Sequence, residues 1–310
     1  MLTRCSIFLV CILFLCGCEE AYDPDIQLDE RMVVFSDIAP ERPIALGLTK
    51  TIVSTDHPHA IRDAQVIITT ASSDIDMDLA DVDPDDQNAP SYVSGALSLR
   101  PGELISLNVK HPELPDVHSS TTVPPVICLQ GHTLELLESE SLVDGRSFHT
   151  YRATYDIDTD MDTSVSGFQL IAFARKGQKT VTTAGDTILI SHQEQLRVPT
   201  TDLRYSDDFE KDFAQGVLIS NSDVQALDGR LQLEFTLSTS DWTDVHVSVG
   251  VELRSLSEEY YHYHRQLSRA LSSGRMDNVY QVPVTDESNI VSGYGSFAAY
   301  NYCQDEISVR

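Results

Sequence analysis

The sequence predicts a mainly β protein: an N-terminal immunoglobulin-like sandwich followed by a larger β-sandwich domain carrying one α-helix. Three observations carry this. Apolar residues alternate with polar ones at period two in many short runs. Pro and Gly turns punctuate those runs, and a stiff Val123-Pro124-Pro125 junction separates two groups of them. A single stretch changes period to that of a helix.

The first group lies in residues 30–125. Its strand candidates are Met32–Phe35, Ile44–Thr49, Gln65–Thr69, Tyr92–Leu99, Leu104–Val109 and Ser119–Val123. Ile44, Leu46 and Leu48 alternate with Ala45, Gly47 and Thr49, and Arg100-Pro101-Gly102-Glu103 reads as a turn between two strands. Six or so short strands with turns at this spacing suit a small sandwich.

The second group fills residues 126–310. Leu231, Leu233, Phe235 and Leu237 keep strict period two, as do Val245, Val247, Val249, Val251 and Leu253. Arg230, Gln232, Glu234, His246, Ser248 and Glu252 take the opposite faces. Tyr151, Ala153 and Tyr155 alternate likewise. Phe168 to Ala174 is apolar on both faces, which predicts a central strand. Near 256–273, Leu256, Tyr260, Tyr263, Leu267 and Leu271 share one helical face. Ser255 and Ser257 are N-cap candidates, Glu258 and Glu259 suit the first turn, and Gly274 can end the helix.

The N-terminus reads differently. Arg4 precedes an apolar run, Ile7 to Leu15, too short to serve as a mature spanning helix, and the run ends in Leu15-Cys16-Gly17-Cys18. This resembles a lipobox. Residues 1–17 are then a lipoprotein signal peptide, Cys18 carries the lipid, and residues 18–29 form an acidic tether. Cys16 is a formal rival for the lipid, and an uncleaved anchor is the competing reading. The implied partner is a membrane, reached through the N-terminal lipid, where each buried CH₂ contributes about 0.8 kcal/mol.

Formal net charge is −27 over 310 residues, and losing Arg4 with the leader takes it to −28. Such acidity repels nucleic acid and anionic membrane surfaces, so nucleic acid is not expected as a partner. Of six Cys, Cys5, Cys11 and Cys16 leave with the leader and Cys18 is lipidated, which leaves Cys128 and Cys303. In an oxidising compartment that pair suggests one disulfide, with two buried free thiols as the alternative.

Motifs for chemistry are sparse. Asp74, Asp76, Asp78, Asp81, Asp83, Asp85 and Asp86 form one acidic stretch, and Asp156, Asp158, Asp160 and Asp162 another. Alternating Asp can gather Ca²⁺, but the Gly and Glu of an EF-hand loop are missing from both, and solvated loops are expected. His262 and His264 lie two apart on the helix, so no shared metal face is expected and both are read as surface histidines. There is no nucleophile elbow, zinc-protease motif, phosphate loop or dinucleotide fingerprint. The reading is therefore not an enzyme, with no cofactor and no metal. Asp186-Thr187-Ile188 resembles a short bacterial O-glycosylation sequon, making Thr187 a candidate acceptor.

Several segments together resemble a known family. They are the lipobox, Met32-Val33-Val34-Phe35-Ser36, Thr121-Thr122-Val123-Pro124, Tyr205-Ser206-Asp207-Asp208-Phe209, Leu256-Ser257-Glu258-Glu259-Tyr260-Tyr261, and Ser288-Asn289-Ile290-Val291-Ser292-Gly293-Tyr294-Gly295-Ser296-Phe297. The chain is similar to the Bacteroidota envelope lipoproteins catalogued as domain of unknown function 4249. Ser292 stands where that family more often has Gly. The resemblance implies no activity and no site residues. It implies an outer-membrane setting, with accessory lipoproteins that accompany TonB-dependent receptors. Glu19 and Glu20 resemble part of a surface-export signal. The expectation is a non-catalytic binding or accessory subunit alongside a TonB-dependent transporter. The alternative is a structural or adhesive envelope lipoprotein, and an uncharacterised hydrolase is a third option.

Overall fold

A computed structural model describes residues 30–51, 60–80, 91–157, 165–181, 183, 186–196, 198, 205–207, 216–240, 244–272 and 288–309. The chain is mainly β, with two helices among those residues. Cys18 and the acidic tether lie outside the described residues, as do Asp81 to Asp86 and Asp158 to Asp162.

The N-terminal half is a sandwich of two layers. One layer is β1 (Met32–Ile38), β2 (Pro43–Lys50), β6 (Tyr92–Ala96) and β5 (Asp78–Leu79); the other is β4 (Asp74–Asp76), β3 (Gln65–Thr69), β7 (Leu104–Lys110) and β8 (Val117–Thr122). Strict alternation explains the layering. Ile44, Leu46 and Leu48 of β2 and Ile105, Leu107 and Val109 of β7 point inward and are buried. The Arg100–Glu103 turn closes through Glu103 N to Arg100 O at 3.0 Å, with Gly102 at φ 79°.

The described part of the first Asp-rich stretch is not the loop its composition suggests. Asp74 and Asp76 lie on β4 at the edge of one layer, and Asp78 on β5 at the edge of the other. Between them buried Met77 bonds Val66 O through its amide at 2.9 Å, so the chain changes layers there. Charges on short edge strands deter edge-to-edge pairing, which is why acidic residues fit this β position.

The second half packs β9 (Gln130–Ser141), β10 (Arg146–Asp156) and β15 (Arg230–Ser240) against a sheet built on β11 (Gly167–Val181), β16 (Asp244–Leu256) and β17 (Tyr294–Ser308). β11 is central. β16 lines one side of it, while β14 (Val217–Ser220) and β12 (Thr187–Leu196) divide the other, and β13 (Tyr205–Asp207) adds to β14. The expected helix is α2 (Glu258–Ser272); a second, short helix, α1 (Asn221–Ala226), is capped by Ser220, whose hydroxyl accepts from Asp223 N.

The two halves share one ten-stranded sheet. β17 makes this possible. Its first part, Tyr294–Ala299, runs parallel to β1, and its second part, Tyr300–Ser308, runs antiparallel to β16. Ile290 and Phe297 therefore sit in the N-terminal core with Met32 and Val34, although they come from the far end of the chain.

Candidate functional site

The densest polar constellation lies where the halves meet. On β16 the Val and Leu stripe fills the core, so Glu252 and Arg254 fall on the opposite face. Their neighbours across the ladder are Gln304 and Tyr302 of β17. Arg42 reaches the same place from the turn after β1, where Glu41 holds φ 58°.

Glu252 is buried and fully used. Arg42 donates to both its oxygens, Nη2 to Oε2 at 2.5 Å and Nη1 to Oε1 at 3.2 Å. Arg254 Nε donates to Oε1 at 2.6 Å, and Gln304 Nε2 to Oε2 at 2.7 Å. Arg42 also lies 3.8 Å over the Tyr302 ring and donates to Tyr300 Oη at 3.0 Å, while Arg254 lies 4.4 Å over Tyr300. Arg254 Nη1 and Tyr260 Oη both donate to Gln169 Oε1, at 3.2 and 2.8 Å, which ties in α2 and β11. Burial pushes the Glu252 carboxyl up, but the two guanidiniums and Gln304 outweigh it and hold it below its ordinary value. Burial likewise disfavours charge on Arg42 and Arg254, yet Glu252 and the tyrosines raise both above the ordinary range.

A carboxylate accepting four hydrogen bonds has no lone pair left for a metal or a substrate. The cluster is a joint between β1, β16, β17, β11 and α2. Sequence reading places Glu252 on a polar strand face but gives no sign of its partners. Arg42 is 210 residues away and comes from a turn.

His264 departs from the expectation of a surface histidine. It is 1% exposed, stacks on Tyr260 at 4.2 Å between ring centroids, and has Nε2 3.3 Å from Asp37 Oδ2. Residue 264 is four after 260 and three before 267, so it shares the buried face. His262 is exposed, as expected.

Cys128 and Cys303 are joined by a disulfide, with Cα atoms 5.2 Å apart. Thr187 opens β12 and is exposed at the end of the β11–β12 hairpin. Asp74 Oδ1 accepts from Thr69 Oγ1 at 2.7 Å, and Asp156 faces Arg230 at 3.3 Å. Among the described residues no three His, Cys, Asp or Glu side chains converge on a metal position, and no helix is long and apolar enough to cross a membrane.

Concavities among the described residues include a groove and a cleft. A groove of about 550 Å³ lies on the outer face of the four-stranded layer, with Thr69, Ser106, Asn108, His118 and Ser120 on its floor. A cleft of about 500 Å³ lies at the junction, between the Pro101-Gly102 turn, Pro124-Pro125 and Glu258-Glu259. Neither brings together a nucleophile, a base and an oxyanion donor.

The specific closing segment proves to be a clasp. Asn289 mimics a strand: its Nδ2 donates to Phe297 O at 2.7 Å and its Oδ1 accepts from Phe297 N at 3.0 Å. Ser119 Oγ donates to Asn289 O at 2.9 Å, and Val291 bridges to His118 on β8. Ser292 has φ 67°, and a Cβ on Gly295 would meet Val34 O at 1.9 Å. These residues serve the architecture: they tie the chain's last strand to β8 and β1.

Fold and joint define a class: a mainly β protein of two sandwiches fused through a common sheet and locked by a buried ion cluster. The chain belongs to the family described as Domain of unknown function (DUF4249), whose model matches residues 19–306. No curated protein matches. Among solved structures, a Streptomyces avermitilis alpha-L-rhamnosidase complexed with L-rhamnose is 13% identical, over 74% of this chain and 24% of that one. Its TM-score of 0.16 is too low to support an argument.

Proposed function

We propose that the chain is an outer-membrane lipoprotein, anchored through Cys18, that acts as a non-catalytic binding or accessory subunit alongside a TonB-dependent transporter. One observation carries the non-catalytic part. The strongest buried polar cluster, around Glu252, is saturated by its own neighbours and serves as a joint. The lipobox-like leader supports the anchor, and the setting implied by the family resemblance supports the transporter partner. Exposure of Thr187 on a hairpin supports its use as an O-glycan acceptor in the cell envelope.

Two measurements test this. A palmitate analogue should label the wild type and not Cys18→Ala; equal labelling of both removes the anchor from Cys18. Pull-down of the native protein from detergent should recover an outer-membrane receptor, identified by mass spectrometry. Recovery of labelled protein with no receptor favours the structural or adhesive alternative.

A further inference from the structure

We infer that β9 is a docking edge for an extended strand of a partner protein, one that alternates basic and apolar residues.

β9 is twelve residues long and exposed along almost all of it. Only β10 pairs with it among the described residues, so its other edge presents a row of backbone donors and acceptors. Register assigns its faces. Leu134 and Leu136 oppose Ala153 and Tyr151, whose side chains belong to the core, so these leucines continue the inner face. Glu135, Glu138 and Glu140 oppose Arg152, Thr150 and Phe148 on the outer face. Leu137 is the extra residue of a bulge. Although Leu136 continues the inner face, it is 52% exposed, and Leu137 is 38% exposed. At its start the strand is fixed to the opposite sheet by the Cys128–Cys303 bond and by His132 Nδ1 beside Asp305 Oδ2 at 3.0 Å. The edge is therefore held in place while Leu134 packs on the core and Leu136 beside it lies largely uncovered.

Charge can also blunt an edge, as it does on β4. The three residues of β4 are too few to template a strand, whereas β9 is long and carries charge on one face only. An incoming strand of period two would set apolar residues beside Leu134 and Leu136, and basic residues beside the Glu stripe. A second copy of β9 would bring Glu against Glu, which like-charge repulsion disfavours. The occupant that satisfies both faces is a basic, apolar-alternating strand from another protein.

The test uses the full chain in detergent and three fluorescent nine-residue peptides. One alternates Lys and Val, the second alternates Glu and Val, and the third is the Lys–Val peptide with alternate amides N-methylated along its pairing edge. Anisotropy should show the Lys–Val peptide binding roughly tenfold or more tighter than either of the others. The triple charge reversal Glu135→Lys, Glu138→Lys, Glu140→Lys should invert the preference towards Glu–Val, with circular dichroism confirming that the variant is folded. Equal binding of the N-methylated peptide reduces the effect to attraction between charges and overturns the proposal. An unchanged preference in the variant moves the binding elsewhere, and absence of binding makes the Glu stripe edge protection only. A dimer in sedimentation that the charge reversal abolishes would make a second copy the occupant instead. None of these outcomes depends on the lipid anchor or the receptor, so they stand or fall apart from the function proposed above.

Discussion

A single backbone angle marks a strained residue. Ser292 sits at φ 67°, in the left-handed region that costs an L residue about 1–2 kcal/mol. Gly adopts that angle freely. Ser292→Gly should therefore raise stability to urea by about 1 kcal/mol, and Ser292→Val should lower it. A Gly variant no more stable than wild type would mean that the bond from Arg31 Nη1 to Ser292 O already fixes the turn. Glu252 gives the second prediction at this scale. Removing one partner leaves a buried charge underpaired, so Arg42→Ala should cost about 3 kcal/mol of unfolding free energy. Folding holds the Glu252 carboxyl below its ordinary value of 4.5, so its contribution is fully present above that pH. The contribution drains away as pH falls through the lower, folded value. Wild type should lose stability below about pH 4.5, and Glu252→Gln should show a shallower acid slope; equal slopes would remove Glu252 from the acid response.

Elements whose pattern faces a core were legible, because burial writes its period into the sequence. β7, β8, β15 and β16 stand where their alternation put them, and β11, apolar on both faces, lies between β16 and the pair β12 and β14. α2 was readable from Ser257, the acidic first turn and the tyrosine face. What could not be read was whatever lacks a buried face or depends on contact distant in sequence. β9 is exposed along almost all of its length, so burial hardly selects its period. β4 and β5 look like acidic loop because their charges protect edges. His264 is polar in type, yet its spacing from Tyr260 puts it on the apolar side, where it is buried. The ion joint depends on Arg42 meeting β16 and β17, and no local rule brings them together. Ser257 does more than cap a helix. Its Oγ accepts from Tyr260 N and from Ala299 N on β17, and lies beside Thr121 Oγ1, each at 3.3 Å. Ser257→Ala should cost about 2 kcal/mol, above an ordinary cap, because a buried amide of β17 loses its acceptor as well. A loss of only a few tenths in chemical denaturation would reduce Ser257 to a surface cap.

At the scale of the whole molecule, the proline junction invites the view of two separable domains, and the sheet argues for coupling. β1 has β17 on one side and β2 on the other, and β17 is the chain's last described strand. The junction itself is held from the second half: Asn301 Nδ2 donates to Pro124 O at 3.1 Å, and Ser255 Oγ donates to Pro125 O. A fragment ending at residue 125 would lack Phe297 and Ile290 from its core and the Asn289 clasp from β8. It would also expose β1 as a new edge. Loss of two buried large apolar side chains alone removes about 3–6 kcal/mol, comparable to the whole stability of a small domain. Residues 30–125 expressed alone should therefore lack a cooperative thermal transition. The same residues fused through a short linker to 288–299 should regain one, since that segment restores the parallel pairing and both core residues. The intact chain should unfold in a single transition, with far-ultraviolet dichroism and tyrosine fluorescence superimposing. Reducing Cys128–Cys303, which closes a separation of 175 residues, should shift that transition downward as one unit without splitting it. If residues 30–125 instead melted cooperatively at the temperature of the intact protein, the shared strand would be an accessory to two independent domains, and the coupling drawn from β17 would be wrong.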